Sequence, residues 1–218
     1  MKKSLMIIYF ITLQANSQII RGSAGIDIYK NIAFEKSGFA SVNIGLEFKI
    51  SHYIKPELNL RYFLGTLPDS NVFNTDGTFK ENLIRTVSAK NISFCPKFIL
   101  NDFEAPIRFQ VIPSYDITQI IAKADLFKIN NANTGVSKID SDEFKETIHS
   151  FGMGIGIVFD LDEDSSQSLA LTLYYNNIEI GNAISNLKFD TTKYNTNQNI
   201  GVGVKYYFSF RKKNNSKL

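Results

Sequence analysis

The chain has 218 residues, 44% of them apolar and 21% charged, with no low-complexity block, so it is long enough and greasy enough for one substantial folded domain. A formal charge of +3 gives no support to nucleic-acid binding, and a single cysteine, Cys95, excludes an intramolecular disulfide. Mean hydropathy is −0.10 and no apolar run approaches the roughly 20 residues of a membrane-spanning helix.

At the start, Lys2 and Lys3 precede the apolar run Leu5 to Leu13, and Ala15-Asn16-Ser17 supplies small residues at the spacing a signal peptidase needs. Residues 1–17 are therefore expected to be a secretory signal peptide. Without those two lysines, basic and acidic residues are nearly balanced.

Eight segments then repeat one pattern, a large apolar residue at every second position, which is the period of a strand with one greasy face. They are 20–28, 40–50, 54–64, 92–100, 107–117, 151–161, 169–175 and 200–210. The last places Ile200, Val202, Val204, Tyr206, Phe208 and Phe210 on one face. No apolar-face position in any of the eight is charged, although 21% of the chain is. The opposite face carries Arg21, Asp27, Glu47, Lys49, Lys55, Glu57, Arg61, Lys97, Arg108, Asp116, Asp160 and Lys205, with several glycines among them.

Most of these bands have the length that a tilted strand needs to cross hydrocarbon. The connections alternate without exception: 29–39, 65–91, 118–150 and 176–199 are long, while 51–53, 101–106 and 162–168 are short. Long outer loops and short periplasmic turns mark an up-and-down barrel of an outer membrane, and hydrocarbon demands that such a sheet close. The expectation is all-β: an eight-stranded antiparallel transmembrane barrel over 18–210, with a basic periplasmic tail at 211–218. Its apolar face, the final strand included, should meet lipid. A lysine there would cost about 2–4 kcal/mol at the bilayer midplane, which explains the emptied face. Lys90 shares the lipid-side parity but falls just beyond its band, near the outer rim. No segment shows helical periodicity, and Pro113, in mid-band, is expected to sit in a β-bulge.

The stretches FKISHYIKPELNLRYF (48–63), ISFCPKFIL (92–100) and PIRFQVIPSY (106–115), with the aromatic-ended last strand, resemble the Bacteroidota outer-membrane β-barrel proteins of the PorT-like, porin-family type. The resemblance implies an eight-stranded outer-membrane barrel without a defined activity, and a role in secretion or envelope assembly by analogy alone. One departure is that Phe210 is followed by RKKNNSKL, where such barrels end on the aromatic.

Chemistry-bearing candidates are few. His149 and Ser150 are adjacent in a strand and so point to opposite faces, which argues against a nucleophile–base pair. His52 and His149 fall at opposite ends of the barrel, and Cys95 faces the lumen alone, so no metal or other cofactor is expected. The turn from Asp160 to Asp164 lacks the glycine and the glutamate of a calcium loop. The inward charges either fill the lumen as an ion-pair network or line a polar pathway; eight strands leave room only for side chains, which favours filling. The expectation is a non-enzymatic structural, surface-exposed or interaction protein. Its partners would be outer-membrane lipids, the barrel-assembly machinery during insertion, and an envelope or secretion protein. The rivals are a narrow channel, a lipid-modifying enzyme using His149, and a soluble lipocalin-like barrel with the apolar face turned inward.

Overall fold

Alternating sequence becomes hydrogen-bonded strand in the computed structural model, which describes residues 20–31, 38–67, 69–102, 104–129, 135–162, 166–189 and 198–210. The expected signal peptide and basic tail lie outside these. Among the described residues the strands are β1 (Ile20–Asn31), β2 (Gly38–Phe48), β3 (Ile54–Thr66), β4 (Ser70–Phe73), β5 (Phe79–Ile99), β6 (Ile107–Ile129), β7 (Val136–Asp160), β8 (Gln167–Asn177) and β9 (Gln198–Ser209), with a helix, α1 (Ile180–Ser185), before the last strand. They pair in the order β3-β2-β1-β9-β8-β7-β6-β5, and β3 pairs with β5, so the sheet closes as an eight-stranded antiparallel barrel. Short β4 adds to the free end of β5 through a turn in which Gly77 takes φ 80°.

The eight bands are all found in the ring, but three of its strands are far longer than their bands. β5, β6 and β7 run 21, 23 and 25 residues, so most of the expected loops 65–91 and 118–150 is strand. The reason is a switch of parity. Within the band, β6 turns Ile107, Phe109, Tyr115 and Ile117 outward; above it, Ile120, Ala122 and Ala124 are fully buried inside, and Gln119 and Lys123 face out. Strand continues across the point where the outer surroundings change from apolar to aqueous, and the greasy side moves from outside to inside.

Outward, the belt is apolar: Ile26, Ile28, Val42, Ile44, Met153 and Ile155 are among its exposed members. On and just after β9, Ile200, Val202, Val204, Tyr206 and Phe210 are exposed and Phe208 is half-buried between aromatic neighbours. Inward-facing positions in the same segments are polar. The inside-out reading, a soluble barrel with a greasy interior ready for a ligand, is overturned by this orientation.

Pro113 needs no bulge. Its strand keeps one register with β7 from Ile107↔Phe159 to Leu126↔Asp140. Toward β5 the register is the same on both sides, at Phe94↔Tyr115 and Phe98↔Val111, while the pairing lapses between them. That register sets Pro113 against Pro96, which faces Pro56 on β3. Two prolines opposite one another place both missing donors in a single gap, and the neighbouring ladders stay whole.

Candidate functional site

The lumen has two layers, and the lower one, toward the short turns, holds charge. Glu47 takes the Arg21 Nε at 2.7 Å and also the Lys97 ammonium. Lys97 reaches on to Glu57 at 2.7 Å, and Lys205 holds the other Glu57 oxygen at 2.8 Å. Hydroxyls of Ser23 and Tyr207 donate to Glu57 at 3.0 Å each. Arg108 pairs with Asp160 through both guanidinium branches, and Ser168 joins Asp160 to Arg21. The Arg21 guanidinium and the Lys97 ammonium stand over the Tyr207 ring, at 5.0 and 4.3 Å from its centroid.

Higher up, Asp27 accepts from Ser41 and Asn43 at 2.7 and 2.8 Å and lies 3.6 Å from Arg61. Asp116 is held by Asn91, Ser93 and Ser114. Thus nine of the eleven expected lumen residues are buried inward: Arg21, Asp27, Glu47, Glu57, Arg61, Lys97, Arg108, Asp116 and Lys205. Lys55, at the start of β3, is half-buried, and Lys49 is half-buried one residue past the end of β2. Asp160 belongs to the network as well. Buried ions are tolerated because each has partners of opposite charge or hydrogen-bond donors around it.

The upper layer is apolar. Tyr29, Phe39, Phe63, Val87, Ala89, Ile120, Ala122 and Tyr174 turn inward and meet Ile178, Ile180, Ala183, Ile184 and Leu187 from the segment carrying α1. That segment, expected to be a polar loop without helix, folds down as a stopper. It is tied to β7 by Asn182 Nδ2 to Glu146 at 2.9 Å, the Lys188 N–H to Asp142 at 2.6 Å and Lys188 Nζ to Asp140 at 3.0 Å. Ile180, Ala183, Ile184 and Leu187 recur at i, i+3, i+4 and i+7, a helical signature that was present in the sequence. Inward glycines make the aromatic layer possible. A Cβ on Gly201 would lie 2.2 Å from the Tyr29 ring, and one on Gly65 would lie 1.9 Å from Phe39.

Above the belt, β5, β6 and β7 continue as a sheet flanked by β4. From Val136 to Phe151, β7 pairs only with β6. This sheet is laced by ion pairs, Lys123–Glu143, Lys145–Glu143, Lys138–Asp125 and Lys128–Glu81. Lys123 and Lys145 both donate to Glu143 and hold its carboxyl down to about 2.

His149 and Ser150 do point apart. The His149 Nδ1 lies 2.9 Å from the Tyr115 hydroxyl on the outer face, and Ser150 is buried inside. Among the described residues no group of His, Cys, Asp and Glu is placed to hold a metal. Asp160 and Asp162 of the acidic turn are engaged by Arg108 and Ser166; residues 163–165 lie outside the described residues.

No protein-family model matches the chain, and no curated protein matches it at a significant level. Among solved structures it is similar to Neisserial surface protein A, at 10% identity and TM-score 0.49, over 88% of this chain and 97% of that one. It is also similar to a major outer membrane protein of Thermus thermophilus, at 9% identity and TM-score 0.45, over 88% and 99%. Ail, the attachment invasion locus protein of Yersinia pestis, matches at 9% identity and TM-score 0.42, over 88% and 96%. At TM-scores under 0.5 these likenesses decide nothing about what this chain does, and the resemblance to Bacteroidota barrels rests on its own motifs.

Proposed function

We propose that the protein is an outer-membrane barrel with a closed lumen, exported by its N-terminal signal peptide and inserted by the barrel-assembly machinery. It acts through the sheet and loops it presents outside the cell. The observation that carries this reading is the filling of the lumen. An ion-pair layer occupies one half and an apolar stopper the other, while β5, β6 and β7 rise beyond the apolar belt. A filled interior supports neither a channel nor a ligand cavity, whereas loops and sheet on a rigid scaffold are where binding resides. The role is binding rather than catalysis, with no nucleic acid involved. An envelope or secretion protein is the partner the PorT-like resemblance suggests.

Three measurements test it. Unboiled and boiled protein from washed outer membranes should differ in gel mobility, with none in the soluble periplasm. A cysteine at Lys138 should react with a membrane-impermeant maleimide on intact cells, and one at Tyr53, in a short turn, should not. Planar bilayers containing the protein should show no stable conductance; a steady ohmic step would make it a narrow channel.

A further inference from the structure

On the outer face, at the upper edge of the apolar belt, small side chains on β2, β3 and β5 leave a trough of about 680 Å³. Its lower row runs Ala40, Leu64, Ser88 and Ile121 across four strands, and the row above runs Thr66, Thr86 and Lys123. The trough is therefore apolar below and hydroxyl-lined above, and it opens onto the belt through Ile28 and Leu64, which are 70% and 55% exposed. Three lysines stand around it at successive heights. Lys123 is in the upper row, Lys145 stands opposite Ile121 in the lower one, and Lys90, two residues beyond Ser88, lies on the belt side of both. Two of them share a single acid, Glu143, so the rim keeps a surplus of positive charge.

We propose that this trough holds an anionic, phosphate-bearing lipid of the outer leaflet, one acyl chain against Ala40, Leu64 and Ile121 and the headgroup against Thr66, Thr86 and Lys123. The gradient from apolar to hydroxyl to ammonium follows the gradient along such a lipid, and lysines near a membrane surface favour anionic headgroups. Continuity with the belt gives the acyl chain a route in from the bilayer. The proposal rests on the membrane reading above.

The test offers the detergent-solubilised protein an equimolar mixture of phosphatidylglycerol and phosphatidylcholine and reads retained lipid by native mass spectrometry. Wild type should retain phosphatidylglycerol preferentially. Ala40→Phe with Ser88→Phe fills the trough and should abolish retention of either lipid. Lys123→Gln should keep lipid bound but lower the preference by about fivefold. Equal retention of the two lipids by wild type, or unchanged retention by the filled variant, overturns the proposal. The heat shift in gel mobility, run on every variant, verifies folding; its absence from wild type would instead sink the membrane reading.

Discussion

Glu57 on β3 is shared by two lysines from different strands, Lys97 at 2.7 Å from one carboxylate oxygen and Lys205 at 2.8 Å from the other. All three side chains are almost fully withdrawn from water. Removing the shared anion leaves Lys205 without a carboxylate and Lys97 with Glu47 alone, whereas removing one cation leaves Glu57 with the other. Breaking a buried pair from one side costs about 3–5 kcal/mol. Losing one charged hydrogen bond costs about 1.5–3 kcal/mol. Glu57→Gln should therefore lower the urea midpoint of the refolded barrel clearly more than Lys205→Met does. Equal midpoints would mean that the network does not hinge on Glu57.

Gly201 faces Tyr29 across the β1–β9 seam where the barrel's first and last strands meet. A methyl group there would collide with the ring at 2.2 Å, and that ring is packed 5.3 Å from Phe63. Gly201→Ala should destabilise by about 1–3 kcal/mol through overpacking. Tyr29→Leu, destabilising alone, should cost less in the Gly201→Ala background, because the two changes share one space. Strict additivity in the urea midpoints would show that the collision is relieved elsewhere.

Much of this architecture was legible in the sequence because lipid imposes a harsh rule: no charge on the outer face, at every second position, for a whole band. The same parity assigns the charges to the inner face, where Arg21, Glu57 and Lys205 are buried while Lys49 and Lys55 are only half-buried. What escaped has a physical cause. Above the rim the apolar residues of β5, β6 and β7 change sides, so a search for one unbroken alternation stops at Ile117 or Phe151 while the strand goes on. The stopper escaped because α1 is only six residues long, and its apolar positions are set among asparagines and charges that read as loop. Pro113 reads as a bulge only while its missing donor is counted on one strand, and Pro96 opposite lacks its donor too.

The stopper and the charge layer close the lumen in series, and they can be separated. Ile184 is fully buried in the apolar layer. Ile180→Asp with Ile184→Asp should expel the segment, because a carboxylate has no partner among those rings. Protease cleavage within 178–189 should then become fast. Conductance should stay at the wild-type level, because Arg61, Glu57 and Lys205 still fill the section beneath. A conducting double variant would place the barrier in the stopper and make the charge layer a lined path.

Beyond the apolar belt, the edge of β7 that no described strand pairs depends on charge in a way that pH exposes. Lys123 and Lys145 bond the two Glu143 oxygens at 2.7 and 2.5 Å, and these hydrogen bonds lower its carboxyl from 4.5 to about 2. The Lys188 ammonium lowers Asp140 on the same strand, helped by the Ser141 N–H. A carboxyl whose folded pKa lies below its unfolded value contributes stability that is fully present above the unfolded value and lost as pH falls through the folded one. The window is therefore from about 4.5 down to about 2. The pairs are exposed and screened, so the effect is local to the sheet rather than a global unfolding. Amide exchange over 139–147, with its intrinsic pH dependence divided out, should rise across that window in wild type. Glu143→Gln should exchange faster already at neutral pH and respond less on acidification. If wild type stays flat between pH 4.5 and 2, or the variant follows it throughout, the β7 edge is held by its pairing with β6 alone.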